Sequence, residues 1–176
     1  RSFSANDVEM LDQIANLASI AYENAFLYRE AQREINERKE TEMLLQYRSF
    51  HDTLTGVYNR AYFEEEMQRI AKRQNGTIGL IMIDLDGLKL INDTMGHEQG
   101  DILLTSAAHI LASCVRGSDV VARIGGDEFA VLLHPVDEAT IQSVCERIHK
   151  MIIDTNATQR LAPISLSIGY AVSSDP

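Results

Sequence analysis

Asp84 and Asp86 close an apolar run, Thr77 to Leu85, and Asp127 and Glu128 follow two adjacent glycines, Gly125 and Gly126. Residues two apart in a strand project to the same side, so Asp84 and Asp86 are expected to share one. Carboxylates at the end of a hydrophobic strand are costly unless something pairs with them. A hard divalent cation is a natural partner, and Mg²⁺ favours a few carboxylates together with substrate phosphates. A hairpin tip carries side chains rigidly into a cleft, and its glycines let a ligand approach the backbone closely. If the hairpin around Gly125 pairs beside the 77–85 strand, the two acidic sites meet. Three carboxylates around one metal would then suit phosphoryl or nucleotidyl transfer. Each feature alone also has an ordinary explanation, as a solvated strand end or a plain turn.

The surrounding elements must make that meeting possible. Asn6 to Phe50 contains neither Pro nor Gly and reads as one long helix. Leu11, Ile14, Ala18, Ala21, Ala25, Tyr28 and Ile35 form a narrow seam at alternating spacings of three and four. Ser4 to Asp7 supplies an N-cap. The seam turns polar at Glu37 to Glu40 and resumes out of step at Met43, Tyr47 and Phe50, which is a stutter. A helix of this length is expected to form a parallel dimeric coiled coil rather than to pack on its own domain. His51 to Gly56 ends it, and Asn59 caps a helix running to about Gln74. Thr77 to Leu85 reads as a buried central strand, Glu98 to Val115 as a helix, and Val120–Ile124 with Phe129–Leu133 as a hairpin. Asp137 to Asp154 is a further helix and Ile164 to Val172 a last strand. The order predicts an α+β domain, an antiparallel-rich sheet with helices on one face.

The bulk properties narrow the partners. The net charge of −10 lacks the basic footprint that nucleic-acid binding needs. No apolar run approaches the ~18 residues needed to span a membrane, and no signal peptide opens the chain, so no membrane contact is expected of this segment. Cys114 and Cys145 have no metal-ligand spacing and read as buried free thiols of a reducing cytoplasm. A chain that opens on Arg1 is expected to be part of a longer protein.

The run Arg123-Ile124-Gly125-Gly126-Asp127-Glu128-Phe129 resembles the name-giving motif of the GGDEF family of diguanylate cyclases. The segment from Asp52 to Arg60 resembles that family's DxLTGLxNR stretch. Asp84 to Asp93 resembles its DxDxFKxxND stretch, with Leu88 where the family has Phe. Gly96-His97 with Gly100-Asp101 fits GHxxGD, and Ser167-Ile168-Gly169 fits its final-strand SIG. The resemblance covers most of residues 51–172 and implies a palm-type fold, like that of nucleotidyl cyclases and ferredoxin-like domains. It divides the chain into a helical linker, 1–50, and a GGDEF domain, 51–176. Family members continue past SIG with a helix bearing basic residues, so the domain is expected to be cut short at its C-terminal end.

The resemblance also implies roles. Asp84 and Glu128 would ligate Mg²⁺ or Mn²⁺, assisted by the Leu85 carbonyl. Asp127 would be a further ligand or would help activate the attacking hydroxyl. Asn92 and Asp101 would read the guanine edge, whose N1–H and N2–H₂ groups donate. Lys89 and the amides near Gly87 and Leu88 would hold phosphates, and Gly125 and Gly126 would make room for the nucleotide. The implied reaction joins two GTP molecules into cyclic di-GMP. Each 3′-oxygen attacks the other molecule's α-phosphorus and pyrophosphate leaves. Because each domain holds one GTP, a homodimer through the N-terminal helix is implied. Phe3 to Tyr28 resembles the last helix of a GAF sensor domain. Arg116 and Asp119 match the family's RxxD inhibitory site, where product would bind. His97, Tyr58 and Tyr62 are read as structural. Three alternatives stay open: a domain of weak activity that binds cyclic di-GMP or GTP as a signalling module, a dimerisation module, and a cyclase of another base preference.

Overall fold

A computed structural model describes residues 5–72, 76–158 and 162–173. Ser4 of the expected cap, Phe3 of the GAF-like stretch Phe3 to Tyr28, and Gln74 at the expected helix end fall outside them. The described elements are, in order, α1 (Ala5–Phe50), β1 (Tyr58–Asn59), α2 (Arg60–Ala71), β2 (Ile78–Leu85), α3 (Leu88–Met95) and α4 (His97–Ser113). They continue with β3 (Val120–Arg123), β4 (Glu128–Leu133), α5 (Glu138–Thr158) and β5 (Leu166–Ser173). Two compact units separate, α1 as far as Gln46 and the chain from Tyr47 onward.

The long helix is present as read, and the side chains from Glu9 to Gln46 are exposed. Met10, Leu11, Ile14, Leu17, Ile20 and Phe26 are among its large apolar residues. At its end, Tyr47 stacks on His51 with centroids 4.0 Å apart, and His51 stacks on Tyr58 at 4.5 Å. Tyr58 in turn stacks on Tyr62 at 3.9 Å. The two tyrosines therefore spend their faces on packing, as the sequence reading held.

The second unit is built on one mixed sheet of order β1-β3-β4-β2-β5. Among the described strands β1–β3 is parallel, and β3–β4, β4–β2 and β2–β5 are antiparallel. The expected hairpin forms, with β3 paired to β4, and it pairs beside β2 through β4. Alternation along the strands sorts the side chains. Ile81, Ile83 and Leu85 of β2 join Phe129, Val131 and Leu133 of β4 in the main core, against Leu104, Leu111, Ile141 and Ile148 of α4 and α5. The other face of β3 and β4 carries Val120, Ala122 and Leu132, packed with Ile70 of α2. Helices thus lie on both faces, which corrects the one-face expectation. The reason is that β3 and β4 are apolar at consecutive positions, so both of their surfaces need cover.

Local signals set the boundaries. Asn59 Oδ1 accepts from Tyr62 N at 3.0 Å, which caps α2 as expected. Asp137 Oδ1 accepts from Thr140 N at 2.7 Å, so Asp137 caps α5 rather than opening it. The sequence reading missed β1 and α3. A two-residue strand carries no periodicity, and α3 is a single short helix lying between two glycines, Gly87 and Gly96.

Candidate active site

Asp84, near the end of β2, stands directly opposite Glu128, the first residue of β4. Opposed residues of an antiparallel pair share a face, with Cβ atoms about 4.5–5.5 Å apart. Both side chains are exposed, on the face opposite Ile83 and Phe129. Two like charges so placed repel one another. Among the described residues neither has an ion-pair partner. A divalent cation would relieve that repulsion, and two oxygen donors that leave room for phosphates suit Mg²⁺. Among the described residues no three His, Cys, Asp or Glu side chains gather as a ready cage. The register therefore presents Asp84 and Glu128 as a carboxylate pair.

The other two acidic residues are held by bonds of their own. Asp127 is half-buried, and its carbonyl accepts from Leu85 N at 2.9 Å, which stitches the hairpin tip to the end of β2. The Leu85 side chain itself is core. Asp86 lies beyond the strand end and accepts from Ser165 Oγ at 2.7 Å and Ser167 Oγ at 2.8 Å. Those two bonds hold its carboxyl below the ordinary value, against a smaller opposing effect of burial. Both of its hydroxyl donors lie on β5 or just before it, and Ser167 stands opposite Asp84.

Gly125 serves the acid first. A side chain at Gly125 would run into the Cβ and carboxylate of Glu128, whereas one at Gly126 would meet open space. The first glycine thus makes room for Glu128, and the second leaves the approach to the backbone clear. Ile124 N and Gly125 N both donate to Glu128 O, at 2.9 and 3.3 Å, and close the turn.

Asp101 is exposed on α4, and the preceding Gly100 lets that helix approach Asn92 of α3. A Cβ there would collide with the Asn92 amide and crowd Leu88. Asn92 Oδ1 is buried and has no hydrogen-bond partner among the described residues. Buried acceptors are seldom left so. Lys89 is exposed on the first turn of α3.

Arg123 is a positioning residue that the sequence reading quoted but did not assign. Its Nη2 and Nε donate to Gly126 O at 2.6 and 3.2 Å, and its Nη1 reaches Asp52 Oδ1 at 3.2 Å. Asp52 also accepts from Thr55 N and Thr55 Oγ1. The turn after α1 is thereby tied to the acidic hairpin. Burial on its own would raise the Asp52 carboxyl, but the Thr55 hydrogen bonds and the Arg123 charge outweigh it and hold it below 3.8. The folded state then binds this proton less readily than the unfolded chain. Its contribution is complete above that ordinary value and disappears as pH falls through the lower folded one. Thermal melts from pH 7 to 3 should show Asp52→Asn less stable than the parent at pH 7, with the difference shrinking below about pH 3.8.

Arg60 was also unassigned. Its hydrogen bond to Glu64 and that residue's charge hold it above its ordinary range, and the Glu128 charge adds to this. The Arg that closes the stretch begun at Asp52 was the available signal.

A second site lies elsewhere. A cavity of about 600 Å³ is lined by Arg116, Asp119 and Arg147, with Cys114, Pro135 and Ser143 among the others. Asp119 Oδ2 accepts from Arg116 N at 2.9 Å, and Asp119 N donates to Arg116 O at 3.0 Å. The carboxylate therefore closes the turn that presents the exposed Arg116. Arg147, which sequence spacing could not associate with this turn, reaches it from α5 and donates through Nε to Cys114 O at 2.8 Å.

Comparison with known proteins converges on one family. A family model described as "Diguanylate cyclase, GGDEF domain" matches residues 49–176. The chain is 37% identical over 124 residues to the probable diguanylate cyclase DgcE of Escherichia coli, covering 69% of this chain and 11% of that protein. It is 31% identical over 172 residues to diguanylate cyclase A of Treponema denticola, covering 98% and 43%. The chain thus spans less than half the length of these relatives. Among solved structures, the coiled coil and GGDEF domain of Caulobacter crescentus DgcB, in complex with c-di-GMP, superposes with a TM-score of 0.71 at 24% identity, covering 82% of this chain and 80% of that one. The GGDEF domain of Pseudomonas aeruginosa TpbB gives 0.62 at 38% identity, covering 69% and 74%.

Proposed function

The chain belongs to the GGDEF family of diguanylate cyclases, and from that premise we propose that it condenses two GTP molecules into cyclic di-GMP and pyrophosphate. The observation that carries this reading is the Asp84–Glu128 register pair, two exposed carboxylates facing one another on one side of the sheet. The donor set fits Mg²⁺ or Mn²⁺, held by Asp84 and Glu128, with the Leu85 carbonyl and Asp127 beside them. When bound, such an ion neutralises triphosphate charge and acidifies the attacking hydroxyl. The protein's own share is placement. Gly87, Leu88 and Lys89 at the start of α3 receive phosphates, and Gly126 leaves the hairpin backbone open to the nucleotide. Asn92 and Asp101 accept from and donate to the guanine edge in the pattern that rejects adenine. Asp127 stands as ligand or as the group that takes up the 3′-hydroxyl proton.

Two such domains must face each other, and α1 supplies the means. Its exposed apolar row is suited to a second copy of itself, which would raise the effective concentration of one site near the other. The test is incubation of the full-length protein with GTP and Mg²⁺, with product identified by mass. Cyclic di-GMP and pyrophosphate are expected. Binding of cyclic di-GMP without turnover would instead mark a receptor, and equal use of ATP would mark another base preference.

Feedback completes the proposal. The cavity beside Arg116, Asp119 and Arg147 offers two guanidinium groups to a phosphodiester. Loss of one charge-assisted bond costs about 1.5–3 kcal/mol, or roughly tenfold or more in affinity. Arg116→Ala should raise the inhibitory concentration of added cyclic di-GMP by at least about tenfold while leaving the initial rate alone. Unaltered inhibition would reject the site.

A further inference from the structure

Asp86 has no role in the carboxylate pair, yet it is among the most firmly held side chains near it. Ser165 Oγ donates to its Oδ2 at 2.7 Å and Ser167 Oγ to its Oδ1 at 2.8 Å. Its own N–H donates to Ser165 O at 3.0 Å. One residue is thus fastened at three points to β5 and the residues leading into it. The next residue, Gly87, sits at φ +74°, and α3 starts immediately after it with no side-chain cap. A left-handed glycine with no cap leaves the direction of a helix start poorly determined by local forces. The Asp86 bonds supply what the local sequence does not. They also act in a definite direction. Both hydroxyl donors come from the β5 side of β2, whereas Glu128 faces Asp84 from β4; Ser167 itself stands opposite Asp84.

We infer that Asp86, Ser165 and Ser167 form a bracket that positions the β2–α3 turn to receive the triphosphate, and that Asp86 is not a metal ligand. The inference rests on the nucleotide reading of this site. Oxygen–oxygen bonds of this length to an ionised carboxylate are of the strong kind. Without them the turn swings as a unit, and the Leu88 and Lys89 amides lose their aim. The effect falls on nucleotide binding, because the ion's own ligands stay where the β2–β4 register puts them.

The test uses the full-length protein in two arms. In the first, Ser165→Ala/Ser167→Ala should raise KM for GTP by about tenfold with kcat changed less than about threefold. The Mg²⁺ concentration for half-maximal rate at saturating GTP should stay within about twofold. Ser165→Thr/Ser167→Thr, which keeps both hydroxyls, should restore KM. In the second, amide hydrogen exchange without nucleotide should be about tenfold faster at Asp86 and Ile91, whose N–H groups donate to Ser165 O and Gly87 O, in the alanine pair and normal in the threonine pair. A tenfold shift in the Mg²⁺ requirement with KM unmoved would make Asp86 a metal ligand and overturn the inference, as would unaltered exchange. If the parent protein makes no cyclic product, the nucleotide reading fails by itself, and the exchange arm still decides whether the bracket exists.

Discussion

Glu128→Gln should reduce cyclic di-GMP formation by about a thousandfold or more, with the protein still folded. The substitution keeps the side chain's size and removes its charge at the position directly opposite Asp84. A carboxylate that helps hold the reacting metal contributes several kcal/mol to the transition state, and about 4 kcal/mol corresponds to a factor of roughly a thousand. Stability should be unaffected or slightly improved, because Glu128 is exposed and its removal relieves repulsion between opposed like charges. Pyrophosphate release under saturating GTP, measured beside a thermal melt, reads both quantities. Retention of more than a tenth of the parent rate would remove Glu128 from the reaction and with it the central reading of the site.

Phe129→Ala, one residue further on, should have the opposite profile. Phe129 is fully buried and belongs to the main core, on the strand at the centre of the sheet. Truncating a buried Phe removes its transfer free energy and leaves a cavity, at a cost of about 3–5 kcal/mol. Typical domains have only about 5–15 kcal/mol in all. The midpoint of thermal unfolding should fall by on the order of 10 °C or more. Urea titration gives the free energy directly, and a loss below about 1 kcal/mol would show that this core assignment is wrong. Neighbours in the chain therefore have separate tasks, because successive strand residues face opposite sides of the sheet.

That alternation explains much of what could be read without coordinates. Thr77 to Leu85 announced a strand through its β-branched and apolar run, and Gly125-Gly126 announced the turn of a hairpin. The uninterrupted stretch to Phe50 announced the helix. These signals are local, and the elements formed within a few residues of the expected bounds. The second helical layer was harder to see. Its cue was the unbroken apolar character of Val120 to Ala122, which the presence of Gly125-Gly126 overshadowed as hairpin punctuation.

The long-range pairings are another matter. The chain by itself determined which residue types stand at each turn and strand end, and its motifs were enough to indicate the family. Only the folded sheet decided that Asp84 meets Glu128, that Asp86 is held by Ser165 and Ser167, and that Arg147 joins Arg116. Period and propensity act over a handful of neighbours. Register and strand order depend on how whole apolar faces are buried against one another, and a shift of one residue would send every side chain to the other side.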